Sequence, residues 1–277
     1  MMKQFTKISI ISVIIASLVI ASFPAAALTK EGGQDLSPSS TGIGIDEAKN
    51  RIVDFDGNSK NLNSLDFKYH GSIKFPYGEV YDFSEGKNRY YVNKENGDIE
   101  FAYFSDARSS SHRVHIDKQQ AKNNAEIFAK EKYKTFITRN MELTESTLID
   151  HGAGGQEYAF VWSEKINGVS TLNKIYITVD SDNGKIISYL AKERETKINL
   201  EPNVRQSDAV RAALEQFGNL KDSRTDAYLS LASPEPDVQQ LVWIVKVNAA
   251  PVDGLVQGGQ VVVDAQNGKI ILFNPFN

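Results

Sequence analysis

Val179-Asp180-Ser181-Asp182-Asn183-Gly184-Lys185-Ile186-Ile187 is written again near the C-terminus as Val263-Asp264-Ala265-Gln266-Asn267-Gly268-Lys269-Ile270-Ile271. An earlier copy, Val92-Asn93-Lys94-Glu95-Asn96-Gly97-Asp98-Ile99, has Asn93 in place of the acid and Asp98 in place of the lysine. Each copy sets Asn-Gly between β-prone runs. A two-residue type I′ hairpin loop needs positive φ at both central residues, and Asn and Gly tolerate that best. Three such reversals predict a chain built of repeated units.

The segments upstream of each copy support that reading. Ile45, Ala48, Ile52 and Phe55 share one helical face, with Asp46 expected as cap and Gly57 as stop. Asp117 and Gln120 fit a capping box ahead of Ala121, Ala125, Phe128 and Ala129. Ser207 is expected to cap a third helix carrying Val210, Ala213, Leu214 and Phe217, ended by Gly218. Short β-prone runs follow each helix. Val161-Trp162-x-x-Lys165 matches Val242-Trp243-x-x-Lys246, one strand upstream in each of the last two units. Alternation places Trp162 with Tyr158 and Phe160 on a face toward the unit's helix. The predicted fold class is therefore α+β: tandem units over residues 44–107, 114–195 and 203–277, each one helix packed on an antiparallel sheet. Arg108 to Arg113 is expected as a Ser-rich linker, and Glu193 to Asn203 as a polar join.

Ahead of the units, Lys3 and Lys7 precede an apolar run from Ile8 to Ile20, and Ala25-Ala26-Ala27 supplies small residues. This order predicts a secretory signal peptide over residues 1–27, cleaved after Ala27, rather than a kept anchor. Residues 28–43, rich in Gly, Ser, Thr and Pro, are expected as a flexible leader. No later segment is apolar enough to span a bilayer. The chain of 277 residues has a formal net charge of −4, and loss of Lys3 and Lys7 leaves it more acidic. That argues against a nucleic-acid partner, which requires a basic field. There is no Cys, so packed cores must supply the stability.

The signal peptide, the Ile116-Asp117-x-x-x-Ala121 helix opening and the Val-Asp-x-x-Asn-Gly-Lys-Ile-Ile closing together resemble PepSY domains. The resemblance covers two clear copies and a degenerate first one. It implies an exported cystatin-like α+β module, found in propeptides of secreted metallopeptidases and as free-standing envelope proteins, with peptidase inhibition or local control as its role. It brings no catalytic residues, because its motif is a folding motif.

The residues themselves nominate little chemistry. His112 and His115 flank Arg113-Val114 in the linker, short of the three or four ligands zinc takes. His70 and His151 are expected alone on strand ends. Asp180-x-Asp182-Asn183-Gly184 begins like a calcium loop but lacks the later ligands, so its carboxylates are expected to cap the turn. Ser84-x-x-Lys87 has no companion motif of a serine–lysine enzyme. Gly152 to Gly155 lacks the Gly-Lys-Ser/Thr of a phosphate loop and reads as a mobile connection. The aromatic cluster Tyr90, Tyr91, Phe101, Tyr103 and Phe104 is expected as cross-strand packing, with an exposed patch for a partner as the alternative. The expectation is an exported, non-catalytic protein without cofactor or metal, whose partner is a secreted or envelope peptidase. The alternative is an envelope binding module for a small ligand, metal ion or cell-wall polymer, and a hydrolase ranks third.

Overall fold

The computed structural model describes residues 42–57, 66–75, 78–109, 111, 113–218, 220, 222–235, 238–252 and 254–276. The expected signal peptide, and all of the expected leader but Gly42 and Ile43, lie outside the described residues. The elements run α1 (Ile45–Asp56), β1 (Phe67–Phe75), β2 (Gly78–Glu85), β3 (Asn88–Asn93), β4 (Ile99–Tyr103), α2 (Lys118–Lys132), β5 (Met141–Asp150), β6 (Gln156–Ile166), β7 (Val169–Asp180), β8 (Ile186–Lys192), α3 (Gln206–Glu215), β9 (Arg224–Ala232), β10 (Gln240–Val252), β11 (Leu255–Asp264) and β12 (Ile270–Pro275). No helix among the described residues is long and apolar enough to cross a membrane.

The strands do not form the expected series of separate helix-on-sheet modules. They belong to one 12-stranded mixed sheet, ordered β1-β2-β3-β4-β8-β7-β9-β10-β11-β12, with β5 on β6 and β6 on β7. This overturns the tandem α+β prediction. The decisive joint is β4 on β8, with Phe101 opposite Leu190 and Tyr103 opposite Ser188. In separate modules both strands would be bare edges, and unpaired backbone groups on an edge seek a second strand. Hydrophobic alternation carries no label for which strand that will be. A parallel bridge from Ser170 to Ser230 joins β7 to β9 and makes the sheet mixed.

The described residues divide into two compact units, those up to 164 with 173–193, and 165–172 with those from 194 onward. In the first, α1 and α2 serve one core. Ala48, Ile52 and Phe55 pack in the same cluster as Ala121, Ala125, Ala129, Tyr158, Phe160 and Trp162. Asp117 and Gln120 form the expected capping box of α2. The α2 alanines, four residues apart and without exposure, let that helix sit close on the sheet. Helix α1 starts differently from expectation: Gly44 is the cap, with no side-chain bond, and Asp46 lies in the first turn, where the helix dipole favours an acid.

In the second unit, Ala209 and Ala213 of α3 meet Leu241, Trp243, Val245, Val261 and Val263. The cap of α3 is Arg205, and Ser207 sits inside the helix. On the opposite sheet face Val242, Ile244 and Val262 make a smaller cluster. Both faces of β10 are thus apolar over Leu241–Val245.

The three repeated reversals share one geometry, which is not type I′. Only the glycines have positive φ, at 77°, 73° and 78° for Gly97, Gly184 and Gly268. The first residue of each turn does the work. Asn93 Oδ1, Asp180 Oδ1 and Asp264 Oδ1 each accept the backbone N–H groups two and three residues on. The following Asn accepts from the N–H two residues beyond itself, at Asp98, Lys185 and Lys269. The residue between them turns its carbonyl to the segment entering the helix. Lys94 accepts from Ile43, Ser181 from His115 and Ile116, and Ala265 from Asn203 and Val204. The true two-residue loop is Asn167-Gly168, with φ of 52° and 81°, between β6 and β7.

Candidate functional site

The side-chain groups singled out from sequence are mostly spent on structure. Asp180 Oδ2 accepts the Ser109 N–H at 2.7 Å, and Asp182 Oδ2 accepts the Ser109 hydroxyl at 2.8 Å. His115 Nδ1 contacts Asp182 Oδ1. The Ser109 hydroxyl bond and the nearby His115 hold the Asp182 carboxyl below its ordinary range. The carboxylates staple the linker to the turn. Three or more His, Cys, Asp or Glu side chains placed to hold a metal do not occur among the described residues. His112 lies outside the described residues.

His151 is not alone. Its Nε2 lies 3.0 Å from Glu157 Oε1, although out of line for a hydrogen bond. Arg108 Nη2 donates to Glu157 Oε2 at 2.6 Å. The Gly152–Gly154 segment forms a 3-10 turn. Gly155, at φ 82°, is required there, since a Cβ would stand 2.6 Å from the Ser109 carbonyl oxygen. A pairing that sequence spacing hides is Ser84 with His70, Oγ to Nε2 at 2.8 Å across β1 and β2. Lys87 is not its partner. The pair lies at the exposed surface, and His70 lacks a carboxylate to orient it among the described residues, so the arrangement stops short of a nucleophile–base–orienter set.

The surface with unspent binding capacity is a sheet edge. Among the described strands β1, β5 and β12 each pair on one side only. Edges invite another strand, and charges and bulges discourage one. Strand β1 carries Lys68 and Lys74 and a bulge between Tyr69 and Gly71. Strand β5 carries Glu142, Glu145 and Asp150 and a bulge between Leu143 and Glu145. Strand β12 reads Ile-Ile-Leu-Phe-Asn-Pro, without a charge, although its ladder with β11 also has a register shift, at Ile271.

Exposed apolar side chains lie along that edge and at the tip beyond its end. Ile271, Phe273 and Phe276 are 41%, 39% and 41% exposed, and Val252, Leu255 and Val256 at the β10–β11 tip are 57%, 65% and 60% exposed. The Phe276 N–H donates to the Gly258 carbonyl at 2.8 Å, which brings the C-terminal segment beside the start of β11. Two glycines permit the close approach. A Cβ on Gly258 would stand 2.0 Å from Val247 O, and one on Gly259 would stand 2.4 Å from Asn274 O. Phe217 at the end of α3 holds the Phe273 ring at 4.9 Å in an edge-to-face contact. The edge is thus braced from behind, with its outer rim left apolar. No family model matches the chain, and no curated protein sequence matches it.

Proposed function

We propose that this chain is an exported, non-catalytic binding protein of PepSY-like kind, and that it restrains a secreted or envelope peptidase. An extended segment of the peptidase adds to β12 as a further strand. Main-chain hydrogen bonds supply the affinity in such a contact, and alternate side chains supply the selectivity. The observation that supports this reading is the uncharged, apolar rim of β12, where the two other described edges carry charges. Export rests on the basic-apolar-small order of residues 1–27, and the peptidase as partner rests on the resemblance of the closing turns.

The test immobilises the purified protein and presents secreted metallopeptidases one at a time, reading retention and residual activity. A partner is retained and inhibited by the parent chain. Ile271→Lys and Val256→Lys each weaken retention about tenfold, as expected when a charge must be desolvated in a strand-addition contact. Lys68→Ala on β1 leaves it unchanged. Absence of both retention and inhibition across the panel refutes the peptidase reading. Retention unaffected by Ile271→Lys and Val256→Lys refutes the edge.

A further inference from the structure

We propose that the cleft between the end of α1 and the face of α2 is a binding site for an organic cation, a primary ammonium or guanidinium on an apolar stem. The cleft lies wholly in the first unit and measures about 410 Å³. Its walls are Phe55, Phe104 and Phe128. Phe128 stands edge-on to both others, with centroids 5.9 Å from Phe55 and 6.2 Å from Phe104. Perpendicular rings of this kind offer faces to one small volume, and aromatic faces attract cations.

The chain already seats a cation there. Lys132 Nζ lies 5.3 Å from the Phe55 centroid and 5.9 Å from that of Phe128. Its side chain is only 12% exposed, and Glu131 pairs with it at 2.7 Å. The cage geometry is therefore that of an ammonium site, with Lys132 as its resident occupant.

Asp56 supplies the second argument. It is the last residue of α1, where the helix dipole disfavours a carboxylate. Ser105 N–H donates to Asn88 Oδ1 at 3.0 Å, and Tyr90 OH donates to Asp56 Oδ2 at 2.7 Å. Asp56 Oδ1 is buried and accepts nothing among the described residues. Burial of this carboxyl, with Glu85 nearby, raises its pKa, against the opposing pull of the Tyr90 bond and of Lys132. A buried acceptor without a donor costs stability, and here it borders an aromatic cleft that also holds Glu131. The lining carries Asp56, Glu131 and Lys132, a net negative balance. A ligand ammonium or guanidinium answers the charge and the rings together, and reaches the oxygen on a small shift of the Asp56 side chain. A neutral sugar would satisfy only the oxygen and the rings.

Calorimetry on the purified protein tests this with Nα-acetyl-lysine amide, Nα-acetyl-arginine amide, n-butylammonium and the uncharged Nα-acetyl-norleucine amide. The cations bind and the norleucine compound does not. Asp56→Asn weakens cation binding about tenfold, the worth of one charge-assisted contact. Lys132→Met keeps the apolar stem and strengthens it, because the resident ammonium has left the cage. Binding falls as the pH drops through the raised pKa of Asp56, whose charged and titrating neighbours are Tyr90, Glu85, Glu131 and Lys132. Equal affinity for butylammonium and the lysine compound assigns a free amine as ligand, and tighter binding of the lysine compound assigns a peptide side chain. Failure of every cation to bind both the parent chain and the Lys132→Met variant overturns the proposal. So does equal binding of the norleucine compound, or cation binding indifferent to Asp56→Asn.

Discussion

Asn93→Asp restores the acid found in the two other closing turns, and it should damage the protein. All three side chains accept the same two backbone N–H groups through one oxygen. They differ in what faces the second atom. Asp180 Oδ2 meets the Ser109 N–H, and Asp264 Oδ2 meets Gln240 Nε2, so both positions need an acceptor. Asn93 Nδ2 donates at 2.8 Å to Glu100 Oε1, and both residues are buried, at 4% and 8% exposure. That position needs a donor. Two carboxylates 2.8 Å apart at an effective dielectric of about 20 would repel by about 6 kcal/mol. The folded variant escapes by holding one proton between them. Keeping a carboxyl that ordinarily titrates near 4 protonated at pH 7 costs about 4 kcal/mol, and at pH 5 about 1 kcal/mol.

The sign follows from linkage. The folded pKa of one carboxyl is raised above its unfolded value, so the penalty is absent below the unfolded pKa and grows as the pH rises toward the raised one. Urea unfolding followed by fluorescence and circular dichroism at pH 5 and 7 measures it. Asn93→Asp should lose about 4 kcal/mol at pH 7 and recover most of it at pH 5. Adding Glu100→Gln should restore stability at pH 7, because the new amide donates to the new acid, and the double-mutant cycle isolates that pair. A loss that is small at pH 7, or independent of pH, refutes the assignment of donor and acceptor in the first turn.

The remaining predictions concern other joints. Asp180→Asn should cost about 1.5–3 kcal/mol in urea unfolding, because an amide N–H₂ would face the Ser109 N–H. Arg139→Met should cost about 3–5 kcal/mol: Arg139 bridges Glu164 at 2.6 Å and Glu193 at 2.7 Å, and the Glu164 side chain is 5% exposed. Asn167→Gly should be neutral in thermal melts and Asn167→Ala should cost about 1–2 kcal/mol, since φ is 52° there. Asn183→Gly and Asn183→Ala should both destabilise, because that side chain bonds the Lys185 N–H and the Ala107 carbonyl. Asp56→Asn should stabilise the protein at neutral pH, with a gain that vanishes as the pH falls below the raised pKa of Asp56 and its ionic penalty disappears.

Local structure was legible in the residues themselves. Periodicity placed the three helices, the Asp117–Gln120 pair announced a capping box, and each Asn-Gly marked a reversal. What misled was the turn type. Asn-Gly alone does not separate a two-residue loop with positive φ at both residues from a longer one in which an upstream Asp or Asn accepts two N–H groups. The Asp180 carboxylate was expected to cap its turn and does so, and extending that reading to Asp264 and Asn93 as the common first residue would have found the second kind, because such side chains bond the backbone two residues on. The edge β12 was half legible. Its apolar composition is in the sequence, but its place at the rim is not.

Residue order thus dictated which segments form helices and where the chain reverses, since φ preference and periodicity act within a few residues, but not the caps of α1 and α3, which fell at Gly44 and Arg205. It did not dictate that β4 would pair with β8, that α1 and α2 would share one core, or that Asp56, Phe104 and Phe128 would border one cleft. Those contacts join residues dozens of positions apart. Any apolar strand edge satisfies another equally well at the level of pattern, and only the packing of both helices on one sheet chooses among the partners.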